Sequence, residues 1–420
     1  MSRSPRGATL SLTARGKVVV AVLALLTLFQ LIRLPSSQPP TSLPRPVVSL
    51  TSNWRRLNTS LPPTLWSLVR QSHLPASIRV HLPLERDEDQ ANLEALDPVF
   101  RHPLVDVRYV KDEGPATKFL PALREAFERA ADGDLAALDE PVLVLDDDHI
   151  YSPVLVETLT RAFVEKKAAV ALRGWRVRED LRWGVSGWEE LQRHVVEGWK
   201  IRRPYQVGVI TANEGYILSP SMLLPPSVRA SLTPSLSDRD PLHPSGSSLS
   251  SINLAALDPS SIPLFSPPAN APESLHLVDD ILLSGSLSAA STPRWVVPLP
   301  PPNPRSLDIT PPARTQQEKD GGPRSPLEHH LLEHGMSRAQ ANDEVLGWFG
   351  DAWAKERDEA SGGGEGSLWY DMRPEAERRR DGRVGEPEWA GWMSRTWSEL
   401  AKYAFWKRAR RRWGEAAVWN

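Results

Sequence analysis

At 420 residues, with 40% hydrophobic and 24% charged side chains, the chain can form one large domain or two smaller ones around an ordinary packed core. Its 50 basic residues nearly balance 52 acidic ones, so overall charge gives no reason to invoke nucleic acid. It has no cysteine, which excludes disulfides, zinc–thiolate sites and a cysteine nucleophile.

Residues 1–17 read as a cytosolic tail carrying Arg3, Arg6, Arg15 and Lys17. The apolar run 18–34 follows, interrupted only by Gln30 and Arg33. A span of about 17 residues suits a thin early-secretory bilayer, and the preceding cations keep the N-terminus cytosolic. The expectation is a single-pass type II anchor in the Golgi or ER membrane, with the rest of the chain lumenal. A cleaved signal peptide is the rival reading, but LPSSQPP offers no clear small-x-small cleavage site. Residues 35–46 read as a proline-rich stem. Asn58-Thr59-Ser60 is a glycosylation sequon consistent with lumenal exposure.

From residue 47 the pattern is α/β. Strands are expected at 47–50, 77–82, 105–110, 142–145, 168–172 and 207–211, with helices at 64–71, 117–131 and 153–167. Alternating strands and helices argue for a mostly parallel, doubly wound sheet. Residues 225–272, dense in Ser and Pro, read as a disordered insertion in a 47–300 domain. Order resumes at 275–287 and in a strand at 295–297. Residues 301–326 read as a Pro-rich linker, and 327–420 as a helical region with helices at 329–355 and 388–413. The last helix carries Trp389, Trp392, Met393, Leu400 and Ala404 near one face and ends in a basic run. It suits either a membrane surface or acidic partner, or docking on the main domain.

The strongest local signal is VLVLDDDHIY at 142–151. A buried strand delivers Asp146, Asp147 and Asp148 to the carboxyl edge of a parallel sheet, where open α/β folds bind ligands. Adjacent carboxylates repel, and a hard divalent cation that also bridges two phosphates relieves the repulsion. The spacing Asp146-x-Asp148 lets two carboxylates face one ligand. The plainer reading is a solvated acidic turn capping the helix near Pro153.

The order of motifs resembles a GT-A-fold glycosyltransferase, close to the fungal and algal family that carries a GPxTK segment, a DDD triplet and a late VDD. The matching residues are VVSLTS at 47–52 with Arg56-Leu57, then Gly114-Pro115-Ala116-Thr117-Lys118, then Asp146-Asp147-Asp148. Leu172-Arg173-Gly174-Trp175 and Val278-Asp279-Asp280-Ile281 complete the series. The resemblance implies a Rossmann-like GT-A domain that moves a sugar from a nucleotide-sugar donor to a glycan, protein or lipid acceptor. Thr51 and Arg56 would lie near the base and ribose, and Lys118 near the base or diphosphate. Asp146 and Asp147 would line the nucleotide-sugar, and Asp148 with Asp146 would hold Mn²⁺ or Mg²⁺. Asp279 or Asp280 would take the acceptor proton. Gly208 stands where the family usually has Asp.

His149 and His276 beside the acidic motifs are further metal-ligand candidates. Trp175, Trp183, Trp188 and Trp199 could stack on sugars, although core packing explains most tryptophans. Two other functions compete. Haloacid-dehalogenase-like phosphatases also use Asp-x-Asp after a buried strand, but on the first strand and with Thr or Val where this chain has Ile150. A catalytically inactive lumenal sugar-binding protein is the other.

Overall fold

The computed structural model describes residues 43–84, 97–178, 180–183, 194–237, 257–299, 303, 305–309, 331, 335–360 and 369–370. By contacts the chain divides into 1–43 and 44–420, and the structure below is that of the second unit. The apolar run 18–34, Trp188 and the basic segment 388–413 lie outside the described residues. Among the described residues no helix is long and apolar enough to cross a membrane.

The chain opens with β1 (Val47–Thr51), helix α1 (Leu61–Leu68), β2 (Ser77–Pro83) and β3 (Val105–Val110). Helix α2 (Leu120–Ala131), β4 (Val142–Val144), the short β5 (His149–Ile150) and α3 (Leu155–Lys166) follow. Then come β6 (Ala169–Ala171), β7 (Arg173–Trp175), β8 (Val177–Arg178), β9 (Val195–Glu197), β10 (Tyr205–Gln206), β11 (Val209–Ile210) and β12 (Tyr216–Leu218). The last part holds α4 (Pro226–Ser237), α5 (Asp279–Ala289), β13 (Arg294–Val296) and β14 (Leu307–Asp308). Helices α6 (Arg338–Trp348) and α7 (Gly350–Ala360) and the strand β15 (Trp369–Tyr370) complete it.

Eight strands form the central sheet in the order β10-β13-β6-β12-β4-β1-β2-β3. The pairs β1/β2, β2/β3, β1/β4 and β6/β13 are parallel. β12 runs antiparallel between β4 and β6, and β10 antiparallel on β13. The sheet is thus mostly parallel, with a reversed strand near its middle that the alternation of strands and helices does not reveal. Gly215 permits that reversal: it enters β12 at φ +84°, and a Cβ there would meet Leu145 Cδ2 at 2.7 Å. The expected strand at 207–211 shrinks to β11, which leaves the main sheet and pairs with β7 in a separate β11-β7-β9 sheet.

Alternation along β4 serves both faces of the sheet. Leu143 and Leu145 point into the core under α1 and α3, beside Leu61, Leu65, Leu155 and Leu159. Val142 and Val144 face the other core, with Leu123 and Phe127 of α2 and Ile281 and Leu282 of α5. All four side chains of β4 and its exit are essentially sealed from water, each worth about 2 kcal/mol of burial. The motif strand is therefore held rigidly from both sides.

Among the described residues, parts of three segments expected to be linkers are built into this frame. Pro44 to Pro46 are pinned at the sheet's start: the Arg45 guanidinium donates to Leu74 O at 3.2 Å, and Ala76 N–H to Pro46 O at 2.8 Å. In the supposed insertion, 226–237 is helical, and Leu232, Leu257, Ile262 and Leu264 are buried in the α2/α5 core. Sparse leucines suffice there because each lands on an existing apolar surface. In the supposed 301–326 linker, β14 pairs antiparallel with β5 directly after the aspartate triplet.

Candidate functional site

The chain passes outward through β1, β2 and β3, then returns to the other side of β1 with β4. The crevice at the carboxyl ends of β1 and β4 is thus the sheet's topological switch point, where open α/β folds leave room for a ligand. Ser52 and the turn Trp54–Arg56 leave β1 there, and Asp146, Asp147 and Asp148 leave β4. Tyr151 clamps the turn that follows: its hydroxyl accepts from Asp146 N–H and donates to Asp146 O, both at 2.9 Å. Ile309 N–H donates to Asp148 O at 2.8 Å, so the β14 strap holds the far side.

The three carboxylates diverge. Asp147 is 4% exposed and turns inward, accepting hydrogen bonds from Ser52 Oγ and the Arg56 guanidinium. Its carbonyl accepts from Thr64 Oγ1 at 3.0 Å. Burial pushes its carboxyl up to about 6, against the pull of Arg56 and Ser52 and with the help of the neighbouring Asp148 and Asp146 charges. Asp148 accepts from His149 Nδ1 at 2.8 Å and lies 3.4 Å from Arg56 Nη1. Burial draws the His149 imidazolium down, but the bond to Asp148 and the charges of Asp148, Asp146 and Glu214 carry it up to about 9.

Asp146 has a different cationic partner. Its Oδ1 accepts from Lys118 Nζ at 2.6 Å, and the same ammonium lies 2.8 Å from Asp279 Oδ2. Lys118 is 8% exposed. Burial would lower its ammonium, but Asp146, Asp279 and Asp280 outweigh that and hold it well above its ordinary value. Behind it, Ser49 Oγ donates to Lys118 O at 2.6 Å and stands 3.1 Å from His81 Nε2. With its proton spent on that carbonyl, Ser49 Oγ accepts from His81 Nε2–H, which sets the tautomer.

Asp279 and Asp280 begin α5, where the helix dipole favours negative charge. Asp280 Oδ1 accepts from Ala212 N–H at 3.3 Å. Burial and the adjacent Asp279 charge raise its carboxyl well above the usual range, opposed by Lys118. Lys118 therefore joins the motif after β4 to the motif that opens α5, two segments far apart in the chain.

Protein cations share in relieving the repulsion that the sequence argument assigned to a metal. Lys118, Arg56 and His149 each neutralise one member of the triplet. Among the described residues no group of three or more His, Cys, Asp or Glu is arranged to hold a metal ion. A hard cation at Asp146 and Asp148 would complete its shell with phosphate oxygens and water, the usual composition of magnesium sites on phosphorylated substrates. The donor chemistry fits such an ion. It does not make a closed protein cage.

Among the other expected residues, Thr51 donates to His81 O at 3.1 Å. His276 keeps company with Glu113, Arg124 and Lys111; burial lowers its imidazolium. Gly208 is a packing requirement: a Cβ there would meet Val177 Cγ2 at 2.2 Å, so an aspartate has no room at that position. Sequence reasoning gave no role to Ser52, Tyr151, Glu214 or Tyr216. Glu214 is deeply placed, and burial raises its carboxyl against the opposing His149 charge. A polar Asn-Glu-Gly run between two apolar strands was the available signal for it.

No protein-family model matches the chain, and no curated protein matches it. Among solved structures the chain is similar to a mannosyltransferase from Pyrobaculum calidifontis in complex with GDP-mannose and Mn²⁺. That similarity is 14% identity over 95% of this chain and 96% of that one, with a TM-score of 0.24. A TM-score of that size bears no weight for fold or chemistry.

Proposed function

We propose that the chain is a metal-dependent glycosyltransferase whose nucleotide-sugar site is the crevice at the ends of β1 and β4. One observation carries this reading: Lys118 gathers Asp146 and Asp279 at the switch point, on three of the motifs that resemble GT-A transferases. The crevice is rich in carboxyl groups, with Asp146, Asp148, Glu214, Asp279 and Asp280 around it. The carboxyl groups in excess over Lys118, Arg56 and His149 favour a diphosphate that carries a divalent cation over a bare one.

Asp146 and Asp148 would hold Mn²⁺ or Mg²⁺ together with the donor phosphates, and the metal would supply Lewis-acid stabilisation of the departing diphosphate. The Lys118 ammonium would meet the same phosphates, while Thr51 and Arg56 would border the nucleoside end. Asp280, at the start of α5 beside Asp279, is the residue assigned as the acceptor base. The acceptor hydroxyl gives its proton to Asp280 as its oxygen bonds to the anomeric carbon, and the bond from that carbon to the diphosphate oxygen breaks. Asp279 keeps Lys118 in place and orients it.

A second reading has support of its own. Because each triplet carboxylate already has a protein cation, the same crevice suits a lumenal sugar-binding protein without transferase activity. Titrating purified protein with UDP- and GDP-sugars, with and without Mn²⁺, decides between them. The expected result is metal-dependent binding, weakened about 100-fold or more by Asp148→Ala, together with sugar transfer. Binding without transfer favours the sugar-binding protein, and phosphatase turnover without nucleotide binding would sink both.

The same proposal places the site in the Golgi or ER lumen behind an anchor at 18–34. Asn58 is exposed next to Arg56 and Leu57. Expressed in a eukaryotic host, the chain should carry a glycan there, seen as an endoglycosidase-sensitive mass shift that Asn58→Gln abolishes. An unshifted wild-type chain speaks against lumenal delivery.

A further inference from the structure

We propose that the cleft between the β7–β8 segment and α6 is an anion subsite that receives the carboxylate or phosphate of an acidic sugar. The cleft is lined by Trp175, Trp183, Arg176, Arg178, Arg182 and His194, over a floor from β11 and α6, and its cations outnumber the one carboxylate, Asp180, that pairs with Arg178 at its edge. Trp175 and Trp183 have ring centroids 4.6 Å apart at 42°, and the Arg173 guanidinium sits 5.2 Å over Trp175. Arg178 donates from Nε and Nη2 to Asp180 at 3.0 and 2.9 Å, which fixes the plane of its guanidinium. Trp183 N–H donates to Asp343 of α6, so the two walls are tied together.

Planar guanidinium forks match carboxylate and phosphate oxygens better than any other side chain, and indole faces accept the apolar face of a sugar ring. The cleft is narrow at its base and open to solvent at its mouth. Its position connects it to the aspartates. Trp175 pairs with Val209 of β11, and three residues further along that segment Ala212 N–H holds Asp280. Three extended residues span about 10 Å, the reach of a short oligosaccharide. A saccharide with its acidic unit in the cleft would thus present its next hydroxyls toward Asp280.

Only this last, directional step rests on the transferase reading. Binding of the anion can be measured by itself.

The test is calorimetric titration of the full chain with a glucuronate-terminated disaccharide, with mannose 6-phosphate and with lactose. The same titrations are run on Arg182→Gln, an exposed position where folding is not at stake, and on the Arg178→Gln/Arg182→Gln double variant. One anionic probe should bind at least tenfold more tightly than lactose, weaken with salt, and lose at least tenfold in the double variant. Whichever anionic probe wins names the carboxylate or the phosphate as the recognised group. Equal affinity for lactose and the anionic probes, no binding of any probe, or affinity unchanged in both variants would overturn the subsite. UDP and GDP binding on the same samples separates the two claims. Nucleotide binding without anion preference defeats the subsite alone, and anion preference without nucleotide binding defeats the donor-site reading alone.

Discussion

Asp146 and Asp147 are neighbours in the chain, yet they belong to different parts of the molecule. Asp147 lies in a closed polar knot with Ser52, Arg56 and Thr64 that ties the exit of β4 to the exit of β1. Asp146, more exposed than Asp147, borders the crevice and pairs with the buried Lys118, which also meets Asp279. The chain leaves β4 at Val144 and bends at Asp147 and Asp148, so one acidic run supplies both a fastening and a ligand-facing group. An acidic motif therefore cannot be assigned to binding as a unit. Each carboxylate has to be read from its partner.

Substitutions on the two sides should separate in what they disturb. The largest effect is expected on the inward side. Asp147→Ala orphans the Ser52 hydroxyl and leaves the Arg56 guanidinium only its longer contact with Asp148, and should cost about 3 kcal/mol of unfolding free energy, measured by urea denaturation. A loss equal to that of Asp146→Ala would erase the distinction drawn here.

The next effect comes through His81, which stands behind the outward network. Burial, with the charges of Arg108 and Arg79, pushes its imidazolium down from 6.5 to about 3. The folded chain then keeps His81 neutral while the unfolded chain takes up a proton near its ordinary value. The stability it contributes is complete above that value and drains away as pH falls toward 3, reaching a loss of about 2 kcal/mol near pH 5. Urea midpoints of wild type and His81→Gln at pH 7 and 5 check this. The variant should show the shallower pH dependence, and parallel curves would remove His81 from the account.

The smallest effect on stability sharpens the comparison most. Ser49→Ala removes the hydroxyl that holds the Lys118 carbonyl and should cost about 1 kcal/mol. It should also weaken nucleotide binding several-fold, because Lys118 loses its support from β1. Stability loss with unchanged nucleotide affinity would make Ser49 a core residue with no bearing on the site.

Much of the frame was legible in the residues. The parallel half of the sheet, β1 to β4, follows from runs of β-branched and aliphatic residues bounded by turns, and the helices between them from their apolar stripes. The half containing β12 was not, because Tyr216–Leu218 is three residues long and its direction depends on a turn at Gly215. Proline and serine density misled at 226–237 and at β14, since composition reports what a segment prefers alone and not what surface awaits it. The C-terminal helices show the same point. Phe349 packs against Gly285 of α5, and Glu356 accepts from the buried Arg294 and from Ser288, so a region that reads as an extension braces the helix carrying Asp279 and Asp280.

By itself the sequence determined which residues carry charge at the end of a buried strand, since strand periodicity and the abrupt change from VLVL to DDD are local facts. Only the tertiary structure decided what each charge does. The partners Lys118, Arg56 and Asp279 reach the triplet from remote segments, and electrostatic interaction depends on separation in space rather than along the chain.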